Sequence, residues 1–277
     1  MNQKMKTENR IGITSFQLKI FALLVMTLDH IRAYLPISMG IPEWFHWAGR
    51  MAAPLFLFLC AEGFAYTRNR KKYLIRLYIA SVVMNLGNSL MNEYFMLENG
   101  PIIINGMFIT LFLVVFTLLS LEHFYKGLKE KQKKEIWLGA GGLACLLLGM
   151  LPLFLLANYT LKYPWALTIF KIYSALVPNL LFAEGGIIWL VLGVGFYLTR
   201  KNRFLQAGFY LIICGGLMFL NKDFVTYGWM AAAVIPMLLY HGEAGRYKMK
   251  SFFYIYYPAH VYLLFFLGWL LTTHYGF

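Results

Sequence analysis

The chain has 277 residues, of which 60% are hydrophobic and only 13% charged, with a formal net charge of +13. Soluble domains carry about 25% charged residues, so this composition excludes an ordinary soluble enzyme and points to a polytopic membrane protein. The positive charge does not indicate nucleic-acid binding, because the Lys and Arg residues sit in short loops between apolar runs, where they set membrane orientation.

Lys4, Lys6, Arg10 and Lys19 place the N-terminus in the cytoplasm. The first apolar run, Phe16 to Pro36, has no small-residue cleavage site after it and reads as a retained span rather than a signal peptide. Deep within it lies Met26-Thr27-Leu28-Asp29-His30-Ile31-Arg32, with three ionisable side chains in four residues. A charge near the centre of a membrane helix costs roughly 2.5–3.5 kcal/mol on insertion scales, so such residues are candidates for function. Asp29 and Arg32 share a helix face and can pair, while His30 points about 100° away, toward a neighbour or a cavity.

A loop with Trp44 and Trp47, suited to an interfacial aromatic belt, leads into a second span over 45–66. Pro54 there has no N–H, so the helical bond to the carbonyl of Arg50 cannot form. Gly49, Ala52 and Ala53 allow another helix to approach closely. Counted along the helices, His30 and Arg50 both lie ~8–9 Å below the outer surface, near the level of Glu184. Arg50 is either functional or a guanidinium snorkelling to headgroups. Glu62, about 18 Å deeper, lines a cavity, pairs with the basic loop that follows, or forms a plain structural ion pair. That loop contains Arg68, Arg70, Lys71 and Lys72. It suits the phosphates of an anionic cofactor, and membrane topology alone also accounts for it.

A third span, 73–92, carries Asn85, Asn88 and Asn92, which must find partners inside the bundle. An outer loop with Glu93 and Glu98 leads to spans at 102–122 and 136–157, separated by Lys126, Lys129, Lys131, Lys133 and Lys134. Residues 158–183 are ambiguous: 164–182 is long enough to cross, yet holds Lys171 at its centre and Pro178 near its end. If it does not cross, about 20 of the 25 Lys and Arg residues fall on the cytoplasmic side. The chain then has nine spans, with 158–183 re-entrant or lying at the outer interface. The remaining spans are 184–199, 203–221, 223–241 and 251–272, which puts the C-terminus outside. The expected fold is therefore an all-α bundle of nine to ten transmembrane helices forming one domain over 1–277. In the last span Pro258 frees the carbonyl of Tyr254, and His260 lies near mid-membrane, either as a satisfied core group or as part of a site. The cysteines, Cys60, Cys145 and Cys214, give no metal-ligand or disulfide spacing, and no metal is expected.

Several stretches stand out together: Leu18-Lys19-Ile20 through Leu28-Asp29-His30-Ile31, Gly49-Arg50 with Pro54-Leu55-Phe56, Glu62-Gly63-Phe64 and Thr67 through Leu74. Glu184-Gly185, Leu239-Tyr240-His241-Gly242 and Phe253 through His260 belong with them. In these stretches the chain resembles the TraX family, while 125–180 matches weakly. The resemblance implies an acetyltransferase: founding members acetylate the N-terminus of conjugative pilin. The family looks distantly similar to polytopic acyltransferases that modify surface sugars with acyl-CoA and an intramembrane histidine. By this resemblance Asp29, His30, Arg50, Glu62 and His260 are the positions that carry over.

The expected function is an integral acyltransferase of the bacterial inner (plasma) membrane. It would take acetyl-CoA from the cytoplasm and pass the acyl group to an amine or hydroxyl of pilin or an envelope glycan. In this reading His30 is the general base or transient acyl carrier, Asp29 and His260 assist, and Arg50 stabilises the oxyanion. Arg68, Arg70, Lys71, Lys72 and Glu62 serve the cofactor. The partners are membrane lipid, acyl-CoA and the acceptor, with no nucleic acid. The alternative is a non-enzymatic transporter in which Asp29, His30 and Glu62 form a proton or substrate path. Such a transporter has no reason to bind CoA, and the chain shows none of the internal repeats common in transporters.

Overall fold

The structure is a computed structural model that describes residues 12–97, 100–104, 106–245 and 250–275. Glu98 and the basic residues Lys4, Lys6, Arg10, Arg246 and Lys248 lie outside the described residues. Thirteen α-helices run through the described chain: α1 Ser15–Tyr34, α2 Trp44–Gly49, α3 Ala52–Tyr66, α4 Arg70–Phe95, α5 Met107–Glu130, α6 Lys133–Leu148 and α7 Leu151–Thr160. They continue as α8 Pro164–Leu176, α9 Gly186–Thr199, α10 Arg203–Asn221, α11 Phe224–Ala231, α12 Val234–Leu239 and α13 Lys250–Tyr275. Six helical stretches are long and apolar enough to cross a membrane, by length and composition: 44–66, 70–95, 107–130, 133–160, 203–221 and 251–275. The fold is all-helical, as the sequence predicts; the one extended pairing among the described residues is a bridge between Ile13 and Tyr240.

Local chemistry explains the breaks. Thr14 and Gln17 form a reciprocal capping box that starts α1. The second apolar run is interrupted at Arg50 and Met51, and Pro54 falls in the first turn of α3, where its missing N–H costs nothing. All three asparagines of α4 find partners. Asn85 donates to the carbonyls of Ser174 and Ala175, Asn88 accepts from Tyr262, and Asn92 exchanges two bonds with Ile103.

The ambiguous segment 158–183 resolves into a hairpin. Tyr173 of α8 donates to the carbonyl of Gly149, and Tyr78 of α4 reaches the carbonyl of Leu176, so α8 runs back into the bundle beside α7. Asn179 then turns the chain, accepting from the N–H of Leu181. It emerges at Glu184, whose carbonyl accepts from Thr110 near the start of α5. The segment thus returns to the end of the bundle it left.

The core gathers on α3, α5, α9 and the inward faces of α1 and α13. Leu55, Leu57, Phe58, Ala61 and Phe64 of α3 have no exposure at all, and neither do Val114, Val115, Phe196 or Val261. Little of the apolar stretch of α6–α7 is by contrast buried, as suits a helix facing lipid. Helices α1 and α13 run side by side in the same direction: Phe16 touches Phe253, and Tyr34 touches Phe265. One end of the bundle carries Lys19, Arg68–Lys72, Lys126–Lys134 and Arg200–Arg203; it is called here the basic end, and its opposite the far end.

Candidate functional site

The contact that defines the site joins α1 to α13. His30 Nδ1 lies 2.7 Å from His260 Nε2, and both residues are buried, at 8% and 7% exposure. The protons can be placed by elimination. His260 Nδ1 is 2.8 Å from the carbonyl of Tyr256, which only accepts, so this nitrogen carries the proton. In the neutral ring His260 Nε2 is then an acceptor, and His30 must donate to it from Nδ1. The lone pair of neutral His30 therefore sits on Nε2, the form required of a base or nucleophile. Tyr257 stacks on His30, Tyr256 stacks on His260, and the Tyr256 hydroxyl bonds Thr27, which fixes both rings.

This contact corrects the depth assigned from sequence. The sequence puts His260 near mid-membrane, deeper than His30, but the two share one level. Counting turns along each helix carries no information about how far one helix is shifted along its neighbour.

A second cluster surrounds Asp29. The expected pairing with Arg32 is not formed; Arg32 bonds Glu43 at 3.1 Å. Asp29 Oδ1 lies 2.8 Å from His46 Nδ1, and Asp29 Oδ2 lies 3.7 Å from the Arg50 guanidinium. Arg50 Nη2 also approaches His46 Nδ1 at 3.2 Å. That nitrogen cannot donate to a carboxylate and accept from a guanidinium at once. The shorter carboxylate contact takes the proton, and Arg50 counts as an ion partner of Asp29. Asp29 thus orients His46, a residue the sequence reading passed over. Gly49 permits the approach, because a Cβ there would stand 2.2 Å from Asp29 Cβ.

Two cavities lie near the histidine pair, and His30 lines one of them. The far-end cavity, of about 330 Å³, is lined by Asp29, His30, Arg50 and Glu184 together with Gly49, Gly185 and apolar side chains. It gathers the three residues placed at a common depth from sequence. Thr226 also lines it, and its backbone N–H donates to the carboxyl of Asp223, the cap of α11. The basic-end cavity, of about 210 Å³, is mainly apolar, with Lys19, Thr67 and Arg76 as polar lining and Cys60 and Tyr73 in its wall. Met26, Phe56, Met107 and Tyr257 line both cavities.

The expected cofactor residues divide. Arg68, Lys71 and Lys72 are exposed at the basic end, and Arg68 adjoins the cavity-lining Thr67. Arg70 is engaged by Glu122, which also accepts from Tyr197 at 2.7 Å, and its guanidinium lies over the Phe64 ring. Glu62 does not pair with this loop. It accepts two bonds from Arg203, at 2.9 and 3.0 Å, while that guanidinium also lies 5.1 Å from the Phe58 and Tyr240 rings. This is the plain structural pair among the alternatives. Lys19, read from the sequence only as an orientation signal, and Arg76, which that reading passed over, both line the cavity; a basic residue several positions inside an apolar run was the available signal.

The family model described as TraX protein matches residues 15–268. The chain belongs to the TraX family. It is 28% identical over 271 residues to the "Probable fimbrial assembly protein FimC, serogroup H1" of Dichelobacter nodosus, covering 92% of this chain and 95% of that relative. No solved structure matches significantly. Membership in the TraX family, together with the long apolar helices, makes this a membrane protein. The TraX match spans both histidines, both cavities and the Asp29–His46–Arg50 cluster.

Proposed function

We propose that this TraX protein is a membrane acyltransferase that takes an acyl group from CoA at the cytoplasmic face and delivers it to an acceptor amine or hydroxyl on the other side. The observation that carries this reading is a pair of cavities, one lined by Lys19 and Arg76 and the other by His30 and Arg50, that share Met26, Phe56, Met107 and Tyr257 as a common wall. Taking the basic end as cytoplasmic follows the positive-inside rule. The hairpin at 158–183 then favours nine spans, with the C-terminus outside.

CoA phosphates meet Arg68, Lys71 and Lys72 at the surface and Lys19 and Arg76 at the cavity wall. The thioester arm extends through the apolar cavity, bringing the carbonyl to His30. The acceptor enters the far-end cavity, its nitrogen or oxygen lone pair attacks the carbonyl carbon, and His30 Nε2 takes its proton. The oxyanion faces the Arg50 guanidinium. Collapse breaks the C–S bond, and the proton passes to the departing thiolate, giving free CoA and an amide or ester. No electrons are exchanged. The fimbrial name of the D. nodosus relative supports a pilin-type acceptor, with an envelope glycan as the other class.

Cavities in series also suit a permease, and CoA separates the two readings. Purified protein should bind CoA and release its thiol from acetyl-CoA when a peptide with a free N-terminal amine is supplied. Absence of CoA binding by folded protein would refute the transferase and favour transport.

A further inference from the structure

Two carboxylates line the far-end cavity, and only one of them is matched. Asp29 is held by His46 at 2.8 Å and by Arg50 at 3.7 Å. Glu184 lines the same cavity, and among the described residues no hydrogen bond or ion pair engages its carboxylate. Arg50 and Asp29 act on it only from beyond ion-pair distance. Its backbone is fixed on both sides. The Glu184 carbonyl accepts from Thr110 at 2.9 Å, and Gly185 and Gly186 follow in the left-handed region, at φ of 68° and 53°. A Cβ at Gly185 would stand 1.6 Å from the Trp189 ring, so only glycine lets the chain turn there. A carboxylate drawn from water without a partner costs free energy that a cationic ligand would offset.

We propose that Glu184 is the second base of the site, taking from an incoming ammonium the proton that His30 cannot. The inference rests on the transferase reading. At neutral pH an N-terminal amine is mainly protonated and has no lone pair for attack. Two protons must leave its nitrogen before an amide stands. Glu184 takes the first as the ammonium enters. The freed nitrogen attacks the acyl carbon, and His30 Nε2 takes the second proton. The C–S bond then breaks, and this second proton passes to the CoA sulfur. The first leaves Glu184 for water at the far end, and no electrons are exchanged. The other ionisable groups lining this cavity are Asp29 and His30 of α1, Arg50, Tyr227 of α11 and Tyr257 of α13. Asp29 cannot replace Glu184, because His46 and Arg50 hold its oxygens. A hydroxyl acceptor loses one proton only, so His30 alone serves it.

Glu184→Gln keeps the shape and removes the base. The test uses the full chain in proteoliposomes, with acetyl-CoA and two acceptors below saturation. One is a short peptide with a free N-terminal amine. The other is that peptide capped with an aminooxyacetyl group, whose terminal nitrogen is uncharged at neutral and alkaline pH. The readout is CoA thiol release above the protein-free rate, with melting temperature and CoA affinity measured alongside. With an α-amino pKa of about 7.7–8.0, roughly 10–20% of the first peptide is neutral at about pH 7 and nearly all of it at about pH 9. A variant that must wait for the neutral form should lose roughly five- to tenfold against wild type at about pH 7 and almost nothing at about pH 9. Its loss with the aminooxy peptide at about pH 7 should be at least about threefold smaller. The wild type supplies a check that needs no variant. Its amine rate divided by its aminooxy rate should fall less than about threefold from about pH 9 to about pH 7; a five- to tenfold fall would overturn the inference. Equal losses with the two peptides, a loss that persists at alkaline pH, or an unchanged amine rate in folded Glu184→Gln would also overturn it, leaving the transferase standing. Thiol release with neither acceptor in the wild type would remove the transferase reading, and this inference with it.

Discussion

His260→Ala tests the histidine pair through its hydrogen-bond chain. The substitution removes the acceptor 2.7 Å from His30 Nδ1 and leaves that N–H buried without it. A buried polar group deprived of its partner costs about 1–3 kcal/mol. The imidazole can escape this cost by moving its proton to Nε2, which faces the wrong tautomer toward the acceptor. At ~1.4 kcal/mol per tenfold, the active tautomer falls by roughly five- to 150-fold, and transfer falls with it. His30→Ala removes the base itself, worth roughly 10²–10⁴-fold. His260→Gln, whose amide oxygen accepts, should recover part of the loss that alanine causes. The assay is single-turnover thiol release from acetyl-CoA, with CoA affinity and thermal stability measured for each variant. Wild-type rates in folded His260→Ala, or recovery by Leu as good as by Gln, would refute the tautomer argument.

Three further outcomes follow from packing and charge. Gly49→Ala pushes a methyl group against Asp29 and should cost about 1–3 kcal/mol as overpacking, read as a lowered melting temperature in detergent. Glu62→Gln leaves Arg203 half-compensated among Phe58 and Tyr240. Because Arg203 keeps some exposure, the loss should fall near or below the low end of the roughly 3–5 kcal/mol seen for fully buried pairs, with CoA affinity unchanged in protein that folds. Neutralising Arg68, Lys71 and Lys72 together should weaken CoA binding, with a difference that shrinks at high salt because exposed charges are screened. Unchanged affinity would leave them as topology signals.

Much of the helical layout was legible in the sequence because lipid enforces it. Apolar runs of about twenty residues, Pro54 and the paired asparagines each left a local signature that tertiary packing respected. The common level of His30, Arg50 and Glu184 followed from helical rise alone, since each lies near the same end of its helix. Pair identities were a different matter. Asp29 could reach Arg32 one turn away, yet it took His46, because Gly49 lets α2 close on α1. Glu62 lay next to a basic loop in sequence and still found Arg203 from 141 residues away. The depth of His260 failed for a related reason: the shift between α1 and α13 is set by aromatic contacts between helices, which no single-helix count contains. The wall common to the two cavities was invisible, since Met26, Phe56, Met107 and Tyr257 are ordinary apolar residues until four helices bring them together.

The central claim is directional transfer through the bundle, and sealed proteoliposomes test it most directly. Acetyl-CoA carrying a labelled acetyl group is confined to the compartment facing the basic end, and the amine peptide to the compartment facing the far end. The account predicts labelled peptide in the far compartment and free CoA retained in the first. His30→Ala should abolish the label in vesicles that remain equally tight. Label appearing only when donor and acceptor share a compartment would contradict the account.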